Sequence, residues 1–148
     1  MTTGPHTVAA DALRVAVAGP ALTRPLAELL AIGDGSPLPA TAGTSVWQLA
    51  DDLARGGRVV GLVTLDGAAR ALTRIDTERF AVVVGPYRAT HRMRDMMRVE
   101  RRAVRQAVVG LAPDLVHAHW CYEYALGALA SGTPTLVTLR DWIPAILR

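Results

Sequence analysis

The chain has one cysteine, Cys121, and no lysine, so all 16 basic side chains are arginine. A single thiol excludes an internal disulfide and predicts a reducing compartment. Aromatic residues make up only 5%, with one phenylalanine. The core must therefore be built from Ala, Val and Leu, which suits closely packed strands and helices. No charge-free apolar run of membrane-spanning length occurs, so no transmembrane helix is predicted. Residues 1–13 hold neither the basic stretch nor the apolar stretch of a secretory leader. These absences predict a cytoplasmic globular protein. Against 13 acidic residues the arginines leave a net charge of only +3. That balance is too small to imply a nucleic-acid partner.

What is present is a series of short apolar runs separated by helical patterns. At 148 residues the chain is long enough for one core and too short for two. Residues 1–12 read as a flexible tail, leaving one domain over 13–148. Leu13–Ala18 reads as a strand stopped by Gly19-Pro20, and it is expected to be central. A long connection with a helical fragment at Pro25–Ile32 follows. Thr44 or Ser45 then caps a helix running to about Arg55, closed by Gly56-Gly57. Arg58–Leu65 reads as the second strand, Ala68–Arg74 as a weak helix, and Phe80–Val84 as the third strand. A long helix is expected over Thr90–Leu111. Pro113–Trp120 and Pro134–Leu139 read as the last two strands, with a helix over Tyr122–Ala130 between them. Alternation of this kind predicts an α/β, Rossmann-like fold with a mostly parallel sheet and flanking helices.

Ligands of such sheets bind beyond the carboxyl ends of the strands. His119, Trp120, Arg140 and Asp141 fall there. His119 suits hydrogen bonding to a hydroxyl or phosphate, or service as a base, against the alternative of a core histidine; for His117 the core role is the better reading. Arg140 and Asp141 suit a phosphate and a sugar hydroxyl, or form a surface ion pair. Gly43 and Thr44 precede a helix N-terminus, where free N–H groups favour an anion, though capping alone would also explain them. No metal site is expected, because His117 and His119 lack further ligands at a suitable spacing. No dinucleotide or P-loop fingerprint occurs. Cys121 reads as a small buried residue. On the long helix, Arg94, Arg98, Arg101 and Arg105 form one stripe beside Met93, Met97, Val104 and Leu111. Such a stripe is either a solvated face or a contact for anionic lipid.

Several of these stretches together resemble one family. The strand ending in Gly19-Pro20, the loop with Pro39 and Gly43-Thr44, and the segment Val46–Gly56 look like the acceptor-domain start of GT-B glycosyltransferases, family 4 type. Pro113–Trp120 and Gly132–Asp141 are similar to that family's two later strand motifs. Two positions differ: Gly57 and Arg140 stand where the family often has histidine. The resemblance implies the acceptor-binding half of an enzyme that transfers a sugar from a nucleotide-sugar donor to a sugar or lipid acceptor, with retention and without a cofactor. It implies that His119 lines the cleft and that the loop at Gly43 approaches the donor diphosphate or the acceptor. It also implies a truncated half of a GT-B fold, in which the donor domain, with its two glutamates eight positions apart, is supplied from outside these 148 residues. On that expectation the chain alone is inactive, its last strand is an open edge, and a separate donor-domain chain is a partner. The other reading is a non-catalytic α/β binding module that docks on an anionic membrane or a partner protein through the arginine-rich helix, peripheral to the inner face of the membrane.

Overall fold

The computed structural model describes residues 13–21, 44–76 and 80–139. The expected tail at 1–12 and the helical fragment at 25–32 lie outside them, as do Gly43, Arg140 and Asp141. Six strands form one sheet: β1 (Arg14–Ala18), β2 (Val59–Asp66), β3 (Thr73–Asp76), β4 (Phe80–Pro86), β5 (Leu115–His119) and β6 (Thr135–Thr138). Their order across the sheet is β3-β4-β2-β1-β5-β6. All neighbours are parallel except β3, which runs antiparallel to β4. The class is α/β and Rossmann-like, and β1 stands in the interior of the sheet. The chain leaves β1 towards β2 on one side and reaches β5 on the other, so the seam between β1 and β5 is the switch point of the winding.

Strand alternation sorts the core into two layers. Ala16 and Ala18 of β1, Val63 and Leu65 of β2, and Val116 and Ala118 of β5 face one way, against α2 (Arg98–Leu111) and α3 (Glu123–Leu129). Val17, Val60, Leu62, Val82 and Val84 face the other way, against Val46 and Ala50 of α1 (Thr44–Arg55). Small residues on the strands let the helices sit close. At the end of α1, Gly57 takes a φ of 75°, a left-handed turn open to glycine at no steric cost, and Arg58 N–H returns to the Leu53 carbonyl. At the amino margin of the sheet, Arg14 N–H donates to Asp114 Oδ2 at 2.7 Å and its guanidinium to the Leu111 carbonyl at 2.7 Å.

Two expected elements differ. Ala68–Arg74 is no helix: Asp66 Oδ1 accepts from Ala68 N–H at 2.6 Å, a local turn, and the chain then enters strand β3. There Thr73 and Ile75 pair with Val84 and Val82, so tertiary pairing overrides a weak helical tendency. The long helix expected over 90–111 is broken. Arg92–Asp95 is a 3-10 turn, Met96 and Met97 are both left-handed (φ 52° and 57°), and α2 begins only at Arg98. Arg88 supplies the reason. Its guanidinium bonds Asp95 through both terminal nitrogens at 2.8–2.9 Å and the buried Glu100 through Nε and Nη2. Holding both carboxylates forces a bend between them, and Met97 fills the bend at 1% exposure. Burying a methionine to that extent contributes about 1.5–3 kcal/mol. Among the described residues no helix is long and apolar enough to cross a membrane.

Candidate functional site

The buried polar and charged side chains among the described residues are Thr64, Asp66, Glu100, His119 and Glu123. All five lie at one margin. Thr64 and Asp66 are at the carboxyl end of β2, His119 at that of β5, Glu100 in the first turn of α2 after β4, and Glu123 at the start of α3 after β5. Burying polar groups costs free energy unless partners compensate, and here the cost is confined to the sheet end where ligands of this fold bind. The opposite margin holds no buried polar side chain among the described residues.

On the α1 face of this margin, His119 closes β5 at 4% exposure. Alternation puts His117 on the same face, with the two rings 4.3 Å apart, and His117 Nε2 lies 2.7 Å from Thr138 Oγ1 on β6. His117 is thus hydrogen-bonded but only part-buried, short of the core position expected, and it backs His119. Just past the end of β1, Gly19 donates its N–H to the Val63 carbonyl of β2 at 3.0 Å. A Cβ on Gly19 would come within 3.0 Å of His119 Cβ and 3.1 Å of Val46 Cγ2. Only the bare backbone lets β1, β5 and the first turn of α1 meet there. Thr44 opens α1 in this neighbourhood, where the first N–H groups of the helix have no intrahelical partner.

On the α2/α3 face, Trp120 follows His119 with a φ of 82°, a left-handed backbone that an aromatic residue rarely adopts. Its N–H bonds the Thr138 carbonyl at 3.1 Å, and its ring packs part-buried on the α2/α3 core. Its side chain therefore lies on the layer opposite to His119. Cys121 is only partly buried. Arg92 Nη1 donates to Glu123 Oε1 at 3.1 Å, and the guanidinium carbon sits 4.6 Å over the Tyr87 ring. Tyr87 is tied by its N–H to the Asp66 carbonyl at 3.0 Å. This chain of contacts spans the margin from β2 to α3. Tyr124, beneath it, accepts from Leu65 N–H at 3.1 Å through its hydroxyl, and burial pushes its pKa well above the ordinary tyrosine value.

The expected arginine stripe is divided by the break in the helix. Arg94 belongs to the 3-10 turn, not to α2. Arg105 donates to the Ala130 carbonyl at the end of α3 at 3.1 Å, which is a packing role, and Arg101 is half-buried. Arg94 and Arg98 are exposed, beside Met93 and Met96 at 62% and 56% exposure. Met97, grouped with Met93 on one face by periodicity, is buried instead. Sequence reasoning missed Arg92, Glu123, Arg88 and Glu100. The one signal for Glu123 was an acidic residue at the head of a short apolar helix, directly after the strand-end histidine. Among the described residues no three His, Cys, Asp or Glu side chains converge as a metal site would need. No protein-family model matches the chain, and no curated protein or solved structure matches it either.

Proposed function

We propose that the chain is the acceptor-binding half of a retaining glycosyltransferase of the GT-B, family 4 type, working with a nucleotide-sugar donor and a sugar or lipid acceptor. The observation that carries the reading is the confinement of the buried polar side chains to the carboxyl margin, with His119 at the β1–β5 switch point. The motif resemblance supplies the reaction class. In the transfer, the bond from the sugar's anomeric carbon to the donor diphosphate breaks and a bond to the acceptor oxygen forms. The acceptor's hydroxyl proton leaves with the departing diphosphate. His119 hydrogen-bonds a hydroxyl of the reacting sugars at the cleft, the loop at Gly43 and Thr44 approaches the donor diphosphate or the acceptor, and Arg140 and Asp141 complete the acceptor side, while the Trp120 ring, packed on the α2/α3 core, takes no part. A second domain must hold the donor, because stabilisation of the leaving diphosphate requires groups placed on its far side.

The test is reconstitution. The chain is mixed with a separately produced donor domain, and nucleoside diphosphate release and glycosylated product are measured for wild type and His119→Ala. Transfer is expected only from the pair, with a loss of about 10²-fold or more in the variant. Full activity in a folded His119→Ala protein overturns the role of His119.

A second reading rests on Met93, Met96, Arg94 and Arg98, an exposed apolar and basic knuckle suited to docking a non-catalytic module on an anionic membrane or partner. Vesicle co-sedimentation decides it. Equal binding to anionic and neutral lipid removes the membrane form of this reading.

A further inference from the structure

Two buried glutamates stand at the carboxyl margin, and they are satisfied differently. Glu100 is fully bonded: Oε1 accepts from Arg88 N–H and Nε, and Oε2 from Arg88 Nη2 at 2.7 Å. Glu123 is half bonded. Its Oε1 takes Arg92 Nη1, while Oε2 is buried and meets no donor among the described residues. Arg92 also sits with its guanidinium carbon 4.6 Å over the Tyr87 ring, a cation–π contact that holds it in place while it bonds the one oxygen. Buried carboxylate oxygens are costly when nothing donates to them.

Three residues earlier in the same turn, Trp120 holds its left-handed backbone. Strain of this kind persists where the surrounding structure fixes it, and it clusters at ligand sites. Here it redirects the chain from β5 into α3 and sets Glu123 at the margin. The charge of the carboxylate is already balanced by Arg92, so a ligand cation has no surplus charge to meet, and an anion would be repelled. A neutral hydroxyl fits what remains. Resting on the acceptor-side reading above, we propose that Glu123 Oε2 is a substrate-binding group that accepts a hydrogen bond from one hydroxyl of the sugar acceptor, and so selects among sugars by the position of that hydroxyl.

The probes are methyl glycosides of glucose, mannose and galactose with their singly deoxygenated analogues, titrated by ligand-observed NMR against the whole chain and its Glu123→Gln variant. Glutamine keeps a carbonyl for Arg92 but places an amide nitrogen, which cannot accept, where Oε2 stood. For wild type, one deoxygenated position is expected to weaken binding about tenfold. In Glu123→Gln, with unchanged melting temperature, the parent sugar weakens to the same degree and that position ceases to matter. A folded Glu123→Gln protein that still discriminates overturns the assignment while leaving the sugar cleft standing. If the variant does not fold, the deoxygenated series on wild type decides, and no weakening at any position overturns it. Failure of wild type to bind any glycoside also overturns it, and the transfer reading is then judged by the reconstitution assay.

Discussion

Gly19 and His119 meet across the β1–β5 seam so closely that a Cβ on the glycine would come within 3.0 Å of the histidine Cβ. A methyl group there has nowhere to go, because Val46 side-chain carbons would stand at 3.1 and 3.3 Å on the α1 side. Gly19→Ala is expected to destabilise the chain by about 1–2 kcal/mol through overpacking. Urea unfolding with an unchanged slope measures it, and unaltered stability would show that the seam has slack.

Arg88 predicts an acid-labile fold. Hydrogen bonds from Arg88 hold the Asp95 carboxyl down to about 2. For Glu100, burial alone would raise the pKa, but the Arg88 side-chain and backbone bonds outweigh it and keep it below the ordinary value. Both folded-state values lie below those of the unfolded chain, so their stabilisation is present above about pH 4–5 and is lost as pH falls towards 2. Thermal melts across that range are expected to fall for wild type and to fall less for Arg88→Met, whose baseline is lower. Parallel curves would place the acid sensitivity elsewhere.

Tyr124→Phe removes the acceptor of Leu65 N–H in the interior. A buried donor without a partner costs about 1–3 kcal/mol. The raised pKa of Tyr124 adds an alkaline signature: the stability tied to its neutral form is present below about pH 10 and drains as pH rises and the unfolded chain ionises. Absorbance at the phenolate wavelength should show one tyrosine titrating only with unfolding, and Tyr124→Phe should abolish that component.

Two helical glycines are expected to respond in opposite directions. Nothing lies within 4 Å of a Cβ placed on Gly110, so Gly110→Ala should stabilise by up to about 1 kcal/mol through helix propensity alone. A Cβ on Gly127 would meet Val104 Cβ at 2.7 Å and the Arg101 carbonyl oxygen at 2.8 Å, where α3 rests on α2. Gly127→Ala should cost about 1–3 kcal/mol despite the same propensity gain. Equal effects on the denaturation midpoint would refute the close packing of the two helices.

Strand positions were legible because apolar runs bounded by Gly19-Pro20, Asp66-Gly67 and Gly85-Pro86 leave little choice of period or end. Strand β3 was not, since Thr-Arg-Ile-Asp is short and charged and declares itself only by pairing with β4. The break before α2 was equally hidden: periodicity cannot reveal left-handed methionines, which exist because Arg88 grips two carboxylates from outside the helix. At the site, alternation along β5 placed His117 and His119 correctly. The Arg92–Glu123 pair was out of reach, because its partners lie 31 residues apart and join only when α3 docks beside the 3-10 turn.

The placement of β1 also bears on how the molecule is made. During synthesis β1 leaves the ribosome before the other five strands of the sheet, and its pairing with β2 becomes possible once Asp66 has emerged. The other flank of β1 must wait for β5, whose register sets Val17 against His117. Contacts of such sequence separation form late. A nascent chain therefore carries a strand edge of unpaired backbone N–H and C=O groups until β5 emerges, and the His119 crevice cannot exist before then. Substitutions that slow docking of β5 should lower yield in the cell before they lower the equilibrium stability of the finished protein.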